Sequence, residues 1–454
     1  MRRSLWAVTR SAISMAGAAL TSVSAVVFLI FVALDALSVF QNPYIGLLIY
    51  LALPTGFLLG LLLIPLGNWR LRRRERAGVQ TDWPTIDFRK PQTRTTAAII
   101  AFATVLNIVI ISMASYGAVH YMETPGFCGQ VCHSVMQPEF VAHQNAPHAS
   151  VACVECHVGG GATSFARSKI TGVRQLAHLV IGKYPRPIPV PVRNMRPARD
   201  TCEQCHWPEK IHGDKIRVVH EYAADEKNTD TVTTLQVHVG GGSERLGIAR
   251  GIHWHMNLAN EVEYIATDDK RQVIPWVRVK DRLGGVREYT AEGATPDQLA
   301  KGERRRMDCM DCHNRPSHQI AATPERAVDE LIARDAIPRT LPFVRRETVK
   351  ALKGGYPTQE AAGEGISRAL RDFYRSQLPQ AGASQQQDVE RAVQAADSIY
   401  RRNVFPAMNV QFGTYPNNIG HIDFPGCFRC HDDNHKAKDG KAITQDCEAC
   451  HKIE

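Results

Sequence analysis

Three apolar stretches open the chain, at residues 12–34, 44–66 and 97–119, each near the ~20 residues that carry a helix across a bilayer. Beyond residue 120 the pattern changes. The run FARSKITGVRQLAHLVIGK, within 159–183, has the spacing of a short amphipathic helix, with Arg167, Arg174 and His178 on one face and Lys169 on the opposite side. A proline-rich run, YPRPIPVPVRNMRP (184–197), follows as an extended linker. Residues 216–290 alternate apolar with polar in VTTLQVHVGGG, EVEYIATD, QVIPWVRVKD and VREYT, the pattern of a small antiparallel sheet. Within it, GIHWHMN sets His253 and His255 on the same face of a strand. Residues 323–402 return to helical periodicity in PERAVDELIARD, RRETVKALKGG, AAGEGISRALRDFYRSQL and DVERAVQAADSIYRRN.

Charge orients the apolar stretches. The formal net charge is +9, but the surplus sits beside the hydrophobic segments. Arg2, Arg3 and Arg10 precede the first, and residues 67–96 hold eight Lys/Arg against Glu75, Asp82 and Asp87. The positive-inside rule puts these regions in the cytoplasm. The turn at Gln41-Asn42-Pro43 is then outside, and the third helix exits outward at His120. A high pI of this origin does not point to nucleic acid. A cleaved signal peptide is the rival reading of the first stretch. The apolar run is longer than a signal peptide needs, and Asp35 follows it in place of small residues.

All 12 cysteines fall into six motifs, each closed by histidine. They are Cys128/Cys132/His133, Cys153/Cys156/His157, Cys202/Cys205/His206, Cys309/Cys312/His313, Cys427/Cys430/His431 and Cys447/Cys450/His451. Five have the spacing C-x-x-C-H, and the first carries one extra residue. An isolated CxxC pair is equally a zinc clip or a redox disulfide. Neither requires histidine straight after the second cysteine, and here it follows every time. This is the attachment signature of c-type haem: two thiols add to the porphyrin vinyls and the histidine ligates iron. The reading is six covalent haems, attached outside the cytoplasmic membrane. The haems would also supply apolar core in a chain that is only 7% aromatic.

Twelve of the 18 histidines lie outside the motifs, and six would give every haem a second imidazole. Closeness to motifs favours His148, His178, His318, His421 and His435, with His253 or His255 from the strand. His120, His143, His212, His220 and His238 stay open. Met136, three residues after His133, offers a thioether that also ligates haem iron.

Three passages, TPGFCGQVCHSVMQPEF, QNAPHASVACVECHVG and RPARDTCEQCHWPEK, resemble the NapC/NirT family of membrane-anchored multihaem quinol dehydrogenases. The resemblance implies a quinol oxidised beside a first haem at the membrane surface. It assigns Met136 as a ligand of that haem, His148 as a distal ligand and Lys169 to the quinol. Simple members have one span where this chain shows three. The longer, three-span form looks like inner-membrane cytochromes of metal-reducing bacteria.

The expected architecture is a membrane anchor of three transmembrane helices (1–120) carrying a periplasmic multihaem cytochrome c domain, low in regular secondary structure. That domain divides into a three-motif haem region (121–215), a small β insertion (216–300), the fourth motif (301–322), a helical insertion (323–405) spacing the fourth haem from the fifth, and a two-haem tail (406–454). The expected activity is oxidation of a quinol, menaquinol first among candidates, at the outer face of a bacterial inner membrane. Lys169, His120, Glu123 or Glu139 would handle the protons. Electrons would leave for periplasmic or outer-membrane c-type cytochromes. A haem-wire subunit of a larger complex and a terminal reductase with an open haem are the alternatives.

Overall fold

The computed structural model describes residues 11–36, 52–78, 119–131, 133–192, 195–241, 251–257, 260–281 and 283–454, with isolated positions between 88 and 117. The chain forms two compact units, Met1–Thr124 with Gly160–Val173, and Pro125–Gly159 with Arg174–Glu454.

In the first unit, helix α1 (Ala12–Ala36) packs along helix α2 (Leu53–Arg76). Small residues allow the close approach. A Cβ added at Gly60 would lie 2.7 Å from the Gly17 carbonyl oxygen, and one at Gly67 would strike Ser14. The Ser14 hydroxyl donates to the Ile64 carbonyl at 3.0 Å. Backbone approach of this kind is how apolar helices associate where water gives no hydrophobic drive. The two helices stand where the first two apolar stretches were expected, but α2 runs on through Arg70–Arg76, and residues 44–51 and most of 97–119 lie outside the described residues. Among the described residues no helix is long and apolar enough to cross a membrane.

The second unit holds every cysteine motif. Helix α3 (His133–Gln144) follows the first motif; helix α4 (Ala162–Val180) follows the second, with residues up to Val173 in the first unit and those from Arg174 in the second. Residues 214–306 form two sheets rather than one, and the C-terminal tail supplies an edge strand to each. β1 (Asp214–Tyr222) and β2 (Asp230–His238) make an antiparallel hairpin. β3 (Glu261–Ala266), β4 (Trp276–Lys280), β5 (Val286–Ala291) and β6 (Glu303–Arg306) make a second antiparallel sheet. β7 (His435–Ala437) extends it along β5, and β8 (His451–Ile453) extends the hairpin along β2. Motifs five and six are thereby stitched to the insertion.

Four helices follow the fourth motif: α5 (Pro324–Ala333), α6 (Val344–Leu352), α7 (Gln359–Gln377) and α8 (Ala383–Asn403). Thr323 and Thr358 cap α5 and α7. The apolar faces meet in a core of Val328, Ile337, Val344, Ile366, Leu370, Ala392, Ala396 and Ile399, each at most 4% exposed. The expectation that these helices hold motifs four and five apart is corrected by the contacts. Arg429, inside motif five, donates to the Asp311 carbonyl of motif four at 2.8 Å. The helical insertion loops out and leaves the two motifs touching.

The β1–β2 hairpin is pinned to this bundle by Asn228, which is fully buried and in the left-handed region at φ 48°. Its amide donates to the Arg339 and Leu341 carbonyls at 3.0 and 2.9 Å, and its oxygen accepts from Arg345 N at 3.1 Å. Asn228→Ala strands three buried polar groups and strains the turn. It should destabilise the protein by about 1–3 kcal/mol in denaturant unfolding, with haem content unchanged.

Candidate functional site

Five motifs fold as single helical turns. Cys153–His157 and Cys309–Cys312 are α-helical, whereas Cys202–Gln204, Gly426–Arg429 and Cys447–Ala449 are 3₁₀ turns. In three of them the histidine N–H reaches back to the first cysteine carbonyl: His206 to Cys202 at 2.7 Å, His313 to Cys309 at 2.8 Å and His431 to Cys427 at 3.1 Å. One turn of helix thus sets both thiols and the ring on a common side. In the first motif Phe127–Val131 is a π-helical turn. Its i→i+5 closure spans one residue more than an α-helical turn. Gly129 permits Phe140 to pack on this turn, since a Cβ there would meet the ring at 2.1 Å.

Each of the five regular motif histidines faces one further histidine. Ring centroids are 6.1 Å apart for His157–His318, 5.9 Å for His206–His148, 6.1 Å for His313–His253, 5.9 Å for His431–His255 and 6.1 Å for His451–His421. Imidazole rings in van der Waals stacking come closer. A metal–imidazole bond of about 2 Å on each side, plus roughly 1 Å from nitrogen to ring centre, gives about 6 Å between two axial rings.

Tautomers agree with ligation. Nδ1 of His253 bonds the Val239 carbonyl at 2.8 Å, that of His255 the Ile252 carbonyl at 3.0 Å, that of His318 the Glu139 carbonyl at 2.9 Å and that of His431 the Thr444 carbonyl at 2.8 Å. A carbonyl can only accept, so Nδ1 carries the proton and Nε2 keeps its lone pair for iron. Burial holds His157, His255 and His313 below the ordinary histidine range and His318 down to about 4, which keeps each ring neutral as a ligand must be. The residues present fit haem.

The motifs also adjoin one another in chain order. The Cys153 thiol lies within hydrogen-bonding reach of the Cys128 thiol, Cys156 adjoins Cys202 and Cys205, and the Cys202 thiol lies within hydrogen-bonding reach of Cys309. Cys312 interacts with Cys427, and Cys450 with Cys427. Motifs four and five are clamped by their intervening residues. Asp311 accepts from the Tyr264 hydroxyl at 2.5 Å, while its carbonyl takes both Arg429 and the Asn418 amide.

The chain is similar to the cytochrome c-type protein ImcH of Geobacter sulfurreducens, with 42% of aligned positions identical over 97% of the chain. The alignment spans 446 residues and 87% of that protein. Residues 90–187 match the NapC/NirT cytochrome c family, N-terminal region. The chain belongs to the NapC/NirT cytochrome c family. It is therefore a membrane-anchored electron-transfer cytochrome with covalently bound haem c. No solved structure matches it.

Against this family background the expected site residues divide. His148, His253, His255, His318 and His421 each meet a motif histidine. His253 and His255 lie in a 3₁₀ turn, Ile252–Met256, rather than on a strand. At 120° per residue they diverge, which is why they serve two different motifs. His435 is only 2% exposed, and both ring nitrogens are engaged, by Asp432 at 2.8 Å and the Ile274 carbonyl at 2.6 Å. It cannot ligate. His178 is exposed and bonds the Lys183 carbonyl at 3.2 Å, with no motif histidine beside it among the described residues. Met136 is half-buried on α3, while Cys132 and the His133 side chain lie outside the described residues.

Of the expected proton-handling groups, Lys169, His120 and Glu123 belong to the first unit. His120 is exposed and stacks on Tyr116, and the Lys169 ammonium sits 4.7 Å over the Phe165 ring. Glu139 is different. It is 8% exposed and ion-paired with Arg315 at 3.0 Å, so it is no surface proton acceptor. Burial pushes its carboxyl up, and Arg315 draws it back. Sequence reasoning missed Arg315, Asp311, Asn418 and Arg429. Only the charged residues inside the motifs four and five spacers hinted at them.

The divergent 3₁₀ turn makes a sharp expectation. His253→Met and His255→Met should each remove one bis-histidine low-spin signal from the EPR spectrum, and the two lost signals should differ. Loss of the same signal in both variants would contradict the pairing.

Proposed function

We propose that this chain is a membrane-bound hexahaem cytochrome that oxidises quinol, menaquinol first among candidates, at the outer face of the cytoplasmic membrane. It would pass the electrons to periplasmic or outer-membrane c-type cytochromes. The observation that carries the reading is the set of five histidine pairs on motifs that adjoin in chain order. Haem bound at the six motifs would supply the one-electron relay. Haem held by these five histidine pairs would have no open position for a small substrate, which favours relay over terminal reduction.

On the entry side, α4 supports a quinol site. Ile170, Val173 and Val180 are 73, 71 and 79% exposed along it, an apolar surface suited to a lipid-soluble substrate. Lys169 carries an ammonium that donates hydrogen bonds and accepts none, so its role is to hold a quinol oxygen. The protons then go to His120 or Glu123. Met136 is the proposed second ligand at the first motif. The N-terminus is cytoplasmic and the cysteine motifs periplasmic, as the arginine-rich flanks of the apolar stretches require.

Stopped-flow reduction of the detergent-solubilised holoprotein by menaquinol and ubiquinol analogues tests the reading. Lys169→Gln should slow haem reduction by at least tenfold with haem content intact. A wild-type protein that neither quinol reduces, yet a partner protein does, would instead identify a wire subunit.

A further inference from the structure

His318 differs from every other partner histidine in what surrounds its outer nitrogen. Nδ1 bonds the Glu139 carbonyl at 2.9 Å and lies 3.3 Å from the Glu139 carboxylate. Among the described residues, the other bonded partner and motif rings, His253, His255 and His431, meet neutral carbonyls only. The carboxylate is fixed in place. Arg315, 7% exposed at its side chain, donates to it at 3.0 Å and also donates from Nε to the His318 carbonyl at 2.6 Å. The guanidinium lies 3.9 Å over the Tyr415 ring. Glu139, Arg315 and His318 thus form a closed, buried ring of contacts. It joins α3, behind the first motif, to the loop behind the fourth, around the second motif's pair.

We propose that Glu139 is a positioning residue for the His157/His318 site, and that its carboxylate makes this site the hardest of the five paired sites to reduce. A negative charge at Nδ1–H strengthens the imidazole as a donor through Nε2 and favours the more positive, oxidised iron. Arg315 orients the carboxylate and supplies the counter-charge that makes its burial tolerable. The charge acts on the second site from the entry side. Electrons reaching it from the first would meet a low-potential step, and each later site would lie downhill from it.

This rests on the reading of His157 and His318 as an axial pair, so the test separates the two claims. His318→Met first identifies the EPR signal of the second site by its loss. If no bis-histidine signal is lost, the pairing fails, and the Glu139 assignment falls with it. In Glu139→Gln, which keeps the size but removes the charge, that same signal should shift its g-values. Its reduction constant should rise at least tenfold, a midpoint shift of about 59 mV for one electron, while the other midpoints stay in place. Should Glu139→Gln lose haem, Glu139→Asp is read in the same way. It retracts the charge by one methylene and should raise the same midpoint by a smaller amount. Unchanged g-values and midpoints in the haem-replete variant overturn the proposal.

Discussion

On the proposed reading, each of the five paired motifs offers its iron one imidazole and needs a second ring brought from outside the motif for the opposite face. That requirement, two rings about 6 Å apart with lone pairs facing, explains most of the second unit. His318, just past the fourth motif, serves the second. His148, before the second, serves the third. His253 and His255, from an insertion, serve the fourth and fifth. Crossing the partners in this way ties the paired motifs into one body, because each motif histidine meets a ring from outside its own motif.

The insertions follow from the same constraint. The second sheet packs Val262, Tyr264 and Val277 against Trp254 and Cys430, so it buries the turn that carries both inserted histidines. The tail strands β7 and β8 each pair with one edge of a sheet, which fixes motifs five and six to the insertion. The four-helix insertion has its own core and contributes no ring. Its connection to the remainder runs through groups such as Asn228 and the Tyr222 side chain, which belongs to the helical core.

Polar groups around the rings are arranged to hold neutral imidazoles in a buried setting. Carbonyls at Nδ1 select the tautomer without adding charge. Glu139 is the exception, and the buried Arg315 beside it accounts for how a carboxylate persists there: an unpaired charge at that depth would cost several kcal/mol. A carboxylate near the first motif looks, in the sequence, like a proton acceptor for quinol. Helix α3 turns it inward instead.

The sequence by itself determined the covalent chemistry. Cysteine and histidine at fixed local spacing form one helical turn, and local spacing needs no tertiary information. The four helices of 323–402 and the strands of the insertion were legible for the same reason, since periodicity is a local property. The distal ligands were legible only as a pool. Of the histidines favoured for closeness in sequence, His148, His318 and His421 lie beside a motif histidine and His178 and His435 do not, and the strand expected at His253 is a 3₁₀ turn. Those outcomes were decided by the tertiary structure, because each ring that meets a motif histidine comes from outside that motif and only contacts between segments bring the two together. The same holds for Glu139, whose neighbours Arg315 and His318 arrive only when the chain has folded.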